Sequence, residues 1–132
     1  MSVHENHEDV FELAGLKLGS RLILGTSRYP SRQALLDSLA AAGVELVTVA
    51  LRRVKPGAAD DDLYAQLRER GLNLLPNTAG CFTARDALLT AELAREALQT
   101  DLIKLEVIAD EDTLLPDVEG LLEAVRELVR LG

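Results

Sequence analysis

Short apolar runs alternate along the chain with longer segments in which apolar residues recur every three or four positions. The runs predict strands and the longer segments predict helices. In strand–helix pairs they span residues 22–24 and 31–42, 46–51 and 60–70, 73–75 and 83–98, and 102–108 and 117–131. Strands that alternate with helices pair in parallel through right-handed crossovers. The pattern therefore predicts an α/β fold of four consecutive βα units.

Residues that commonly begin and end helices flank two of the predicted helices. Ser31 has a side chain suited to an N-cap, and Gly43 suits the left-handed backbone at a helix end. Thr83 and Asp86 have the spacing of a capping box. These signals support the first and third helices independently of their apolar pattern.

Two short elements precede the first βα unit. Phe11–Leu13 and Leu16–Leu18 flank a two-residue turn and predict a β-hairpin. Residues 1–9 are polar and acidic and predict a flexible tail, in which His4 and His7 stand beside glutamates. Such a tail must lose its conformational freedom before it can hold a metal ion, so we expect a solvated tail and no metal site.

The run at 102–108 bears on the architecture, because four βα units fit either a small doubly wound sheet or half of a (β/α)8 TIM-type barrel. Side chains alternate along a strand, so Ile103, Leu105 and Val107 would pack under helices while Lys104 and Glu106 share the opposite face. Helices would bury that face too in a doubly wound sheet, whereas in a barrel it points to the lumen. The two charges therefore favour the half-barrel.

Composition narrows the functional classes. The 132 residues are 48% hydrophobic, enough for one domain with a core, and a net charge of −8 disfavours nucleic-acid or membrane partners. The single cysteine, Cys81, cannot form an internal disulfide and is expected to be a small buried residue. With no signal peptide and no apolar run of about 20 residues, a cytoplasmic protein is expected.

Lys104 is the strongest candidate for a chemical role. A lysine that loses hydration in a barrel lumen favours its neutral amine, which attacks ketones and aldehydes to form an imine. Glu106 favours the ammonium instead, and it could shuttle protons while the imine forms. The residues alone leave a structural ion pair as an equal alternative.

Other candidates follow the predicted strands, where parallel α/β proteins form their sites. Thr26 lies in a Gly-Thr-Ser-Arg loop that could cradle an anion, although an ordinary βα loop is favoured. Arg52 and Arg53 could bind a carboxylate or phosphate, or equally pair with acids of a neighbouring helix. Asn77 and Thr78 could orient a substrate or cap their loop. Thr26, Arg52, Asn77 and Thr78 are the predicted substrate-binding residues.

Six motifs, taken together and in order, resemble those of a known family. They are Gly25-Thr26-Ser27-Arg28-Tyr29, Val47-Thr48-Val49-Ala50-Leu51-Arg52-Arg53, Leu75-Pro76-Asn77-Thr78-Ala79-Gly80, Leu93-Ala94-Arg95-Glu96, Lys104-Leu105-Glu106-Val107 and Leu114-Leu115-Pro116-Asp117. From about Phe11 onward the chain closely resembles bacterial thiazole synthase, the enzyme that builds the thiazole phosphate precursor of thiamine.

The resemblance implies a (β/α)8 barrel, of which residues 10–132 form the N-terminal half. It implies that Lys104 forms an imine with 1-deoxy-D-xylulose 5-phosphate and that Glu106 acts as an acid or base. Two further reactants are implied: dehydroglycine, and the C-terminal thiocarboxylate of a ubiquitin-like sulfur carrier protein. The resemblance implies no metal and no organic cofactor.

The chain departs from the family in two ways. Ser27-Arg28 stands where many members have Gly-Lys, so this loop is less free to adopt positive φ. The family continues through four further units that supply a second acidic residue and the main phosphate-binding loops, so we expect this chain to be inactive alone. Rival hypotheses are a non-catalytic half-barrel that binds a protein, and another lysine-imine enzyme of the aldolase type.

A half-barrel would leave the outer edges of its first and fourth strands without backbone partners. It would also expose apolar residues on the lumenal face of the sheet, including Leu102 and either Val49 or its neighbours. We therefore expect a homo-oligomer, most simply a two-fold pair in which each copy supplies the other's missing strands.

Overall fold

The computed structural model describes residues 10–51 and 60–132 and has an α/β architecture. Its elements follow in chain order as β1 (Phe11–Leu13), β2 (Leu16–Leu18), β3 (Ile23–Gly25), α1 (Arg32–Ala42), β4 (Leu46–Ala50), α2 (Asp60–Glu69), β5 (Asn73–Asn77), α3 (Ala84–Leu98) and α4 (Val118–Leu131). Within these residues no helix combines the length and apolar character that crossing a membrane requires.

The strands form two sheets. β1 and β2 make the predicted antiparallel hairpin, which turns through Ala14 and Gly15 at φ values of 46° and 82°. β3, β4 and β5 form a parallel sheet in that order, in which Val47 pairs with Leu24 on one side and with Leu74 on the other. Neighbours in the sheet are therefore neighbours in the chain, as the alternation of runs predicts.

The predicted caps of α1 are confirmed, and at α3 the structure confirms Thr83 as the N-cap, which is one of the two bonds of the predicted capping box. The Ser31 hydroxyl accepts a hydrogen bond from the Ala34 N–H at 3.1 Å, and the Thr83 hydroxyl accepts one from the Asp86 N–H at 3.1 Å. Gly43 ends α1 at a φ of 60°, which glycine adopts without steric cost. These bonds satisfy backbone groups that the helix ends would otherwise leave unpaired.

Residues 102–108 do not form the fourth strand that their apolar run predicts. One parallel bridge joins Asn77 to Lys104, whose N–H donates to the Pro76 carbonyl at 2.8 Å and whose carbonyl accepts from the Thr78 N–H at 3.2 Å. The ladder stops there because the Thr78 carbonyl, its next acceptor, bonds the Cys81 N–H at 3.1 Å in a tight turn. In residues 10–51 and 60–132, three complete strand–helix pairs and one bridged segment therefore replace the predicted four units.

Two apolar clusters hold the helices against the sheet. The larger joins β4 and β5 to α1 and α2, with Val47 and Leu67 fully buried. The smaller joins the 102–108 segment to α3 and α4 through the fully buried Val107, with Leu105 packed beside it. The prediction that this face of the segment meets helices is confirmed.

Of the two alternatives predicted for the lumenal face at β4, Val49 or its neighbours, the structure excludes Val49. Val49 is 1% exposed and belongs to the cluster shared with α1 and α2, and Leu102 is half-buried. Because side chains alternate along β4, Thr48 and Ala50 lie on the face opposite Val49. The run Leu46–Ala50 is largely apolar on both faces, so only the packed helices decide which face is the core.

Candidate active site

The candidate site lies where the 102–108 segment meets the end of β5. The bridge places Asn77 and Lys104 opposite each other in neighbouring extended segments, so their side chains share one face of the sheet. Asn77 is 7% exposed, Glu106 is half-buried and Lys104 is exposed. An accessible amine thus stands beside a nearly buried amide at the carboxyl edge of a parallel sheet, where α/β proteins bind ligands.

The loss of hydration that the sequence predicts for Lys104 is not seen, because this side chain is exposed. The described residues supply three strands and one bridged segment, whereas a barrel that closes around its own side chains takes about eight strands. Within the described residues no ion pair joins Lys104 to Glu106. The geometry therefore disfavours the structural ion pair that the sequence left open.

Asn77 caps the loop that follows β5. Its side-chain oxygen accepts a hydrogen bond from the Ala79 N–H at 3.1 Å, which is the local turn that asparagine favours. This bond uses the oxygen and leaves the amide NH₂ group unused in capping. The capping interpretation is thus observed, and substrate binding by the NH₂ group stays a prediction.

Thr78 lies beneath the site, with none of its surface exposed. Its hydroxyl donates to the Glu106 carbonyl at 2.7 Å and accepts from the Glu106 N–H, also at 2.7 Å. The single hydroxyl proton is therefore already engaged. Sequence reasoning assigned Thr78 to the substrate and missed this contact, because it joins residues that are 28 positions apart.

The loop after β3 is tied to the same edge of the sheet. The Thr26 hydroxyl donates to the Thr48 carbonyl at 3.0 Å, which joins the loop after β3 to the middle of β4. Two residues later, Arg28 adopts a φ of 69°, a left-handed conformation that costs a non-glycine residue energy. The sequence predicts that Ser27-Arg28 is less free than Gly-Lys to adopt positive φ, and the structure nevertheless places Arg28 at a positive φ. Anion binding by this loop stays a prediction.

The remaining candidates divide into those the structure describes and those it does not. Cys81 is fully buried with its sulfur 3.5 Å from the Thr90 hydroxyl, which confirms a small buried residue. Arg52, Arg53 and the tail 1–9 lie outside the described residues. Among residues 10–51 and 60–132, no three His, Cys, Asp or Glu side chains cluster as a metal site would require.

A compact turn links the Lys104 segment to α4. Asp110 accepts hydrogen bonds from the Thr113 N–H at 2.7 Å and from the Thr113 hydroxyl at 2.6 Å. The Asp117 N–H then donates to the Val107 carbonyl at 2.9 Å, which sets the start of α4 beside the segment. The Asp-x-x-Thr spacing could have indicated this turn from the sequence.

The two bonds from Thr113, led by that of its hydroxyl, hold the pKa of Asp110 below its ordinary value of 3.8. A lowered pKa means that the turn is stabilised at neutral pH and loses this stabilisation as the pH falls through the folded-state value. We expect the Thr113 amide resonance to titrate with a midpoint below 3.8. Asp110→Asn should remove the titration, and a midpoint at or above the ordinary value would contradict the assignment.

A family model for the thiazole biosynthesis protein ThiG matches residues 12–132. Thiazole synthases of Azorhizobium caulinodans and Burkholderia pseudomallei are 51% and 52% identical to this chain over 124 and 125 residues. Each alignment covers 94% of this chain and 46% of the relative. The chain therefore spans about half the length of these curated relatives.

Solved structures are also similar to the chain. The Amycolatopsis orientalis BexX/CysO complex matches with a TM-score of 0.73 and 28% identity, over 92% of this chain and 50% of the other. A putative aldo-keto reductase of Pseudomonas aeruginosa, PA4992, matches with a TM-score of 0.55 at 24% identity, which indicates a shared fold alone. The BexX/CysO structure thus has the higher TM-score of the two, and this chain aligns with half of its length.

The family match includes the loop after β3, the end of β5 and the bridged segment with Lys104 and Glu106. It agrees with the resemblance that the six motifs carry. The chain belongs to the ThiG family of thiazole biosynthesis proteins.

Proposed function

We propose that this chain provides the imine-forming half of a thiazole synthase, which makes the thiazole phosphate moiety of thiamine. One observation carries the proposal: in a chain of this family, Lys104 is exposed on the same face as Asn77 at the carboxyl edge of the sheet. An accessible amine is what attack on a ketone requires.

The proposed first step uses the residues as follows. The neutral Lys104 amine adds to the ketone carbon of 1-deoxy-D-xylulose 5-phosphate, and the carbonyl oxygen gains a proton while the nitrogen loses one, which gives a neutral carbinolamine. Glu106, two residues along the segment, donates a proton as water leaves, and a protonated imine remains. The resulting carboxylate can then remove a proton from the neighbouring carbon to form an enamine. The half-buried position of Glu106 supports contact with both substrate and solvent.

The other partners follow from the same proposal. Dehydroglycine supplies carbon and nitrogen, and the thiocarboxylate of a ubiquitin-like sulfur carrier protein supplies sulfur. The similarity to BexX, whose structure was solved in complex with CysO, supports a protein partner. Thr26, Asn77 and Arg52 are proposed to bind substrate, and a second copy of the chain is a further proposed partner.

The proposal is tested by an assay with the sugar phosphate, dehydroglycine and the carrier thiocarboxylate. We expect no sustained thiazole phosphate from the chain alone, because it spans 46% of its relatives' length and positioning by the remainder supplies part of the rate. Adding the unmatched C-terminal part of the Azorhizobium caulinodans enzyme is expected to restore formation.

Each rival function gives a different result in this assay. An aldolase-type enzyme would consume the sugar phosphate without consuming thiocarboxylate. A non-catalytic half-barrel would bind the carrier protein. The complemented mixture would then form thiazole phosphate at the same rate with Lys104→Ala as with the wild-type chain. Either result would contradict the proposed function.

A further inference from the structure

A side chain replaces one rung of the β-ladder beside Lys104. In a parallel ladder that contains the bridge between Asn77 and Lys104, the Glu106 N–H would next donate to the Thr78 carbonyl. That carbonyl instead bonds Cys81, and the Glu106 N–H donates to the Thr78 hydroxyl at 2.7 Å. The threonine side chain thus takes over a bond that the backbone has given up.

The Thr78 hydroxyl also donates a hydrogen bond to Glu106, the residue whose N–H it accepts. It donates to the Glu106 carbonyl at 2.7 Å, so both backbone polar groups of Glu106 end on one buried oxygen atom. A short side-chain hydroxyl both accepts and donates strongly at one atom, as threonine and serine do. Losing it would leave two buried or half-buried backbone groups without a partner.

These bonds anchor the residues proposed to do the chemistry. The Thr78 N–H holds the Lys104 carbonyl at 3.2 Å, and its hydroxyl holds Glu106 from both sides. Further along, the Ile108 N–H donates to the Cys81 carbonyl at 2.8 Å. Between the bridge at Lys104 and this anchor, Thr78 makes the backbone contacts that fix Glu106.

We propose that Thr78 is a positioning residue, whose hydroxyl sets the backbone at Glu106 and thereby the relative placement of Glu106 and Lys104. We call the two hydrogen bonds between the Thr78 hydroxyl and the Glu106 backbone the clamp. The catalytic consequence of the clamp rests on the proposed function, whereas the clamp itself does not. Thr78 acts through the backbone and does not contact the substrate. This role replaces the substrate contact that the sequence predicts for Thr78.

The test compares three variants of the 132-residue chain. Thr78→Val keeps the shape and removes the hydroxyl, and Thr78→Ser keeps the hydroxyl. Thr90→Val is the matched control, because Thr90 is a nearly buried threonine of α3, 9% exposed, whose hydroxyl meets the Cys81 sulfur at 3.5 Å and not the segment. Two quantities are measured for each: amide hydrogen exchange at Glu106 in the chain alone, and the rate of borohydride trapping of the sugar phosphate on Lys104, per folded molecule, after a C-terminal half has been added.

We expect exchange at the Glu106 amide to be at least about tenfold faster in Thr78→Val and within about twofold of wild type in the other two variants. Trapping on Lys104 should slow by about tenfold to a hundredfold in Thr78→Val alone, since a small misplacement of reacting groups has effects of this size. Because Thr78→Ser restores the hydroxyl, it should restore both quantities.

The outcomes separate the clamp from the chemistry. If Thr78→Val folds and exchange at its Glu106 amide is unchanged, the clamp is overturned. If Thr78→Val does not fold, an unprotected Glu106 amide in the wild-type chain overturns the clamp. Faster exchange with unchanged trapping overturns the positioning role. If the wild-type chain, complemented with a C-terminal half, traps no sugar on Lys104, the proposed function fails while the exchange data still decide the clamp.

Discussion

Replacing Lys104 by alanine is expected to abolish borohydride trapping of 1-deoxy-D-xylulose 5-phosphate and to lower thiazole phosphate formation at least about a thousandfold, because Lys104 supplies the attacking amine in the proposed mechanism. The variant should fold normally. The Lys104 side chain is exposed, and the bonds to Pro76 and Thr78 come from its backbone and survive the change. Peptide mass mapping after trapping of the wild-type chain, complemented with a C-terminal half, measures the result directly.

The sequence makes this mapping decisive, because it holds three lysines: Lys17, Lys55 and Lys104. Lys17→Ala is the matched control, since Lys17 is exposed in β2 and pairs with Glu12 at 3.7 Å, away from the site. It should trap the sugar like the wild-type chain. Label on Lys17 or Lys55 with none on Lys104 would rule out the assignment.

The 132-residue chain is expected to self-associate at micromolar concentration. In the described residues, the main sheet ends at β3 on one side and at the bridged segment on the other. Helix α4 adds an apolar stripe on its outer face, which is 40–76% exposed and consists of Val118, Leu122, Val125 and Val129. Unpaired sheet edges and a contiguous apolar stripe both favour burial against another chain.

The occupant that we propose is a second copy of the chain in a two-fold pair. Each copy would bring its β3 edge beside the partner's bridged segment and cover the partner's α4 stripe. This pairing places two copies of Lys104 in one shared space. It also suits a chain that spans about half the length of its relatives.

The double variant Val125→Lys/Val129→Lys is expected to weaken association by about a hundredfold, since each valine buried in an interface contributes about 1.5 kcal/mol. Lysine is chosen because the chain has a net charge of −8, so the change lowers repulsion between copies and cannot dissociate them by charge. Ala41→Lys, on the exposed surface of α1, is the control. Sedimentation velocity measures all three proteins, and a wild-type monomer throughout the micromolar range would contradict the pairing.

Much of the local structure could be predicted because it depends on neighbours in sequence. The caps at Ser31 and Thr83 bond backbone groups three residues away, and the β1–β2 hairpin closes over two residues. The alternation of Leu105 and Val107 with Lys104 and Glu106 likewise follows from the geometry of an extended chain. Each of these features is local, so the residue types and their spacing are sufficient.

Only the tertiary structure decided features in which a group chooses between distant partners. The run Leu46–Ala50 is largely apolar on both faces, so its sequence left open whether Val49 or its neighbours face the core, and the packing of α1 and α2 made Val49 the buried one. Residues 102–108 read as a strand, yet their ladder ends because the Thr78 carbonyl turns to Cys81 and the Thr78 hydroxyl takes its place. A backbone group has the same chemistry at every residue, so its partner is set by which groups the fold brings within bonding distance.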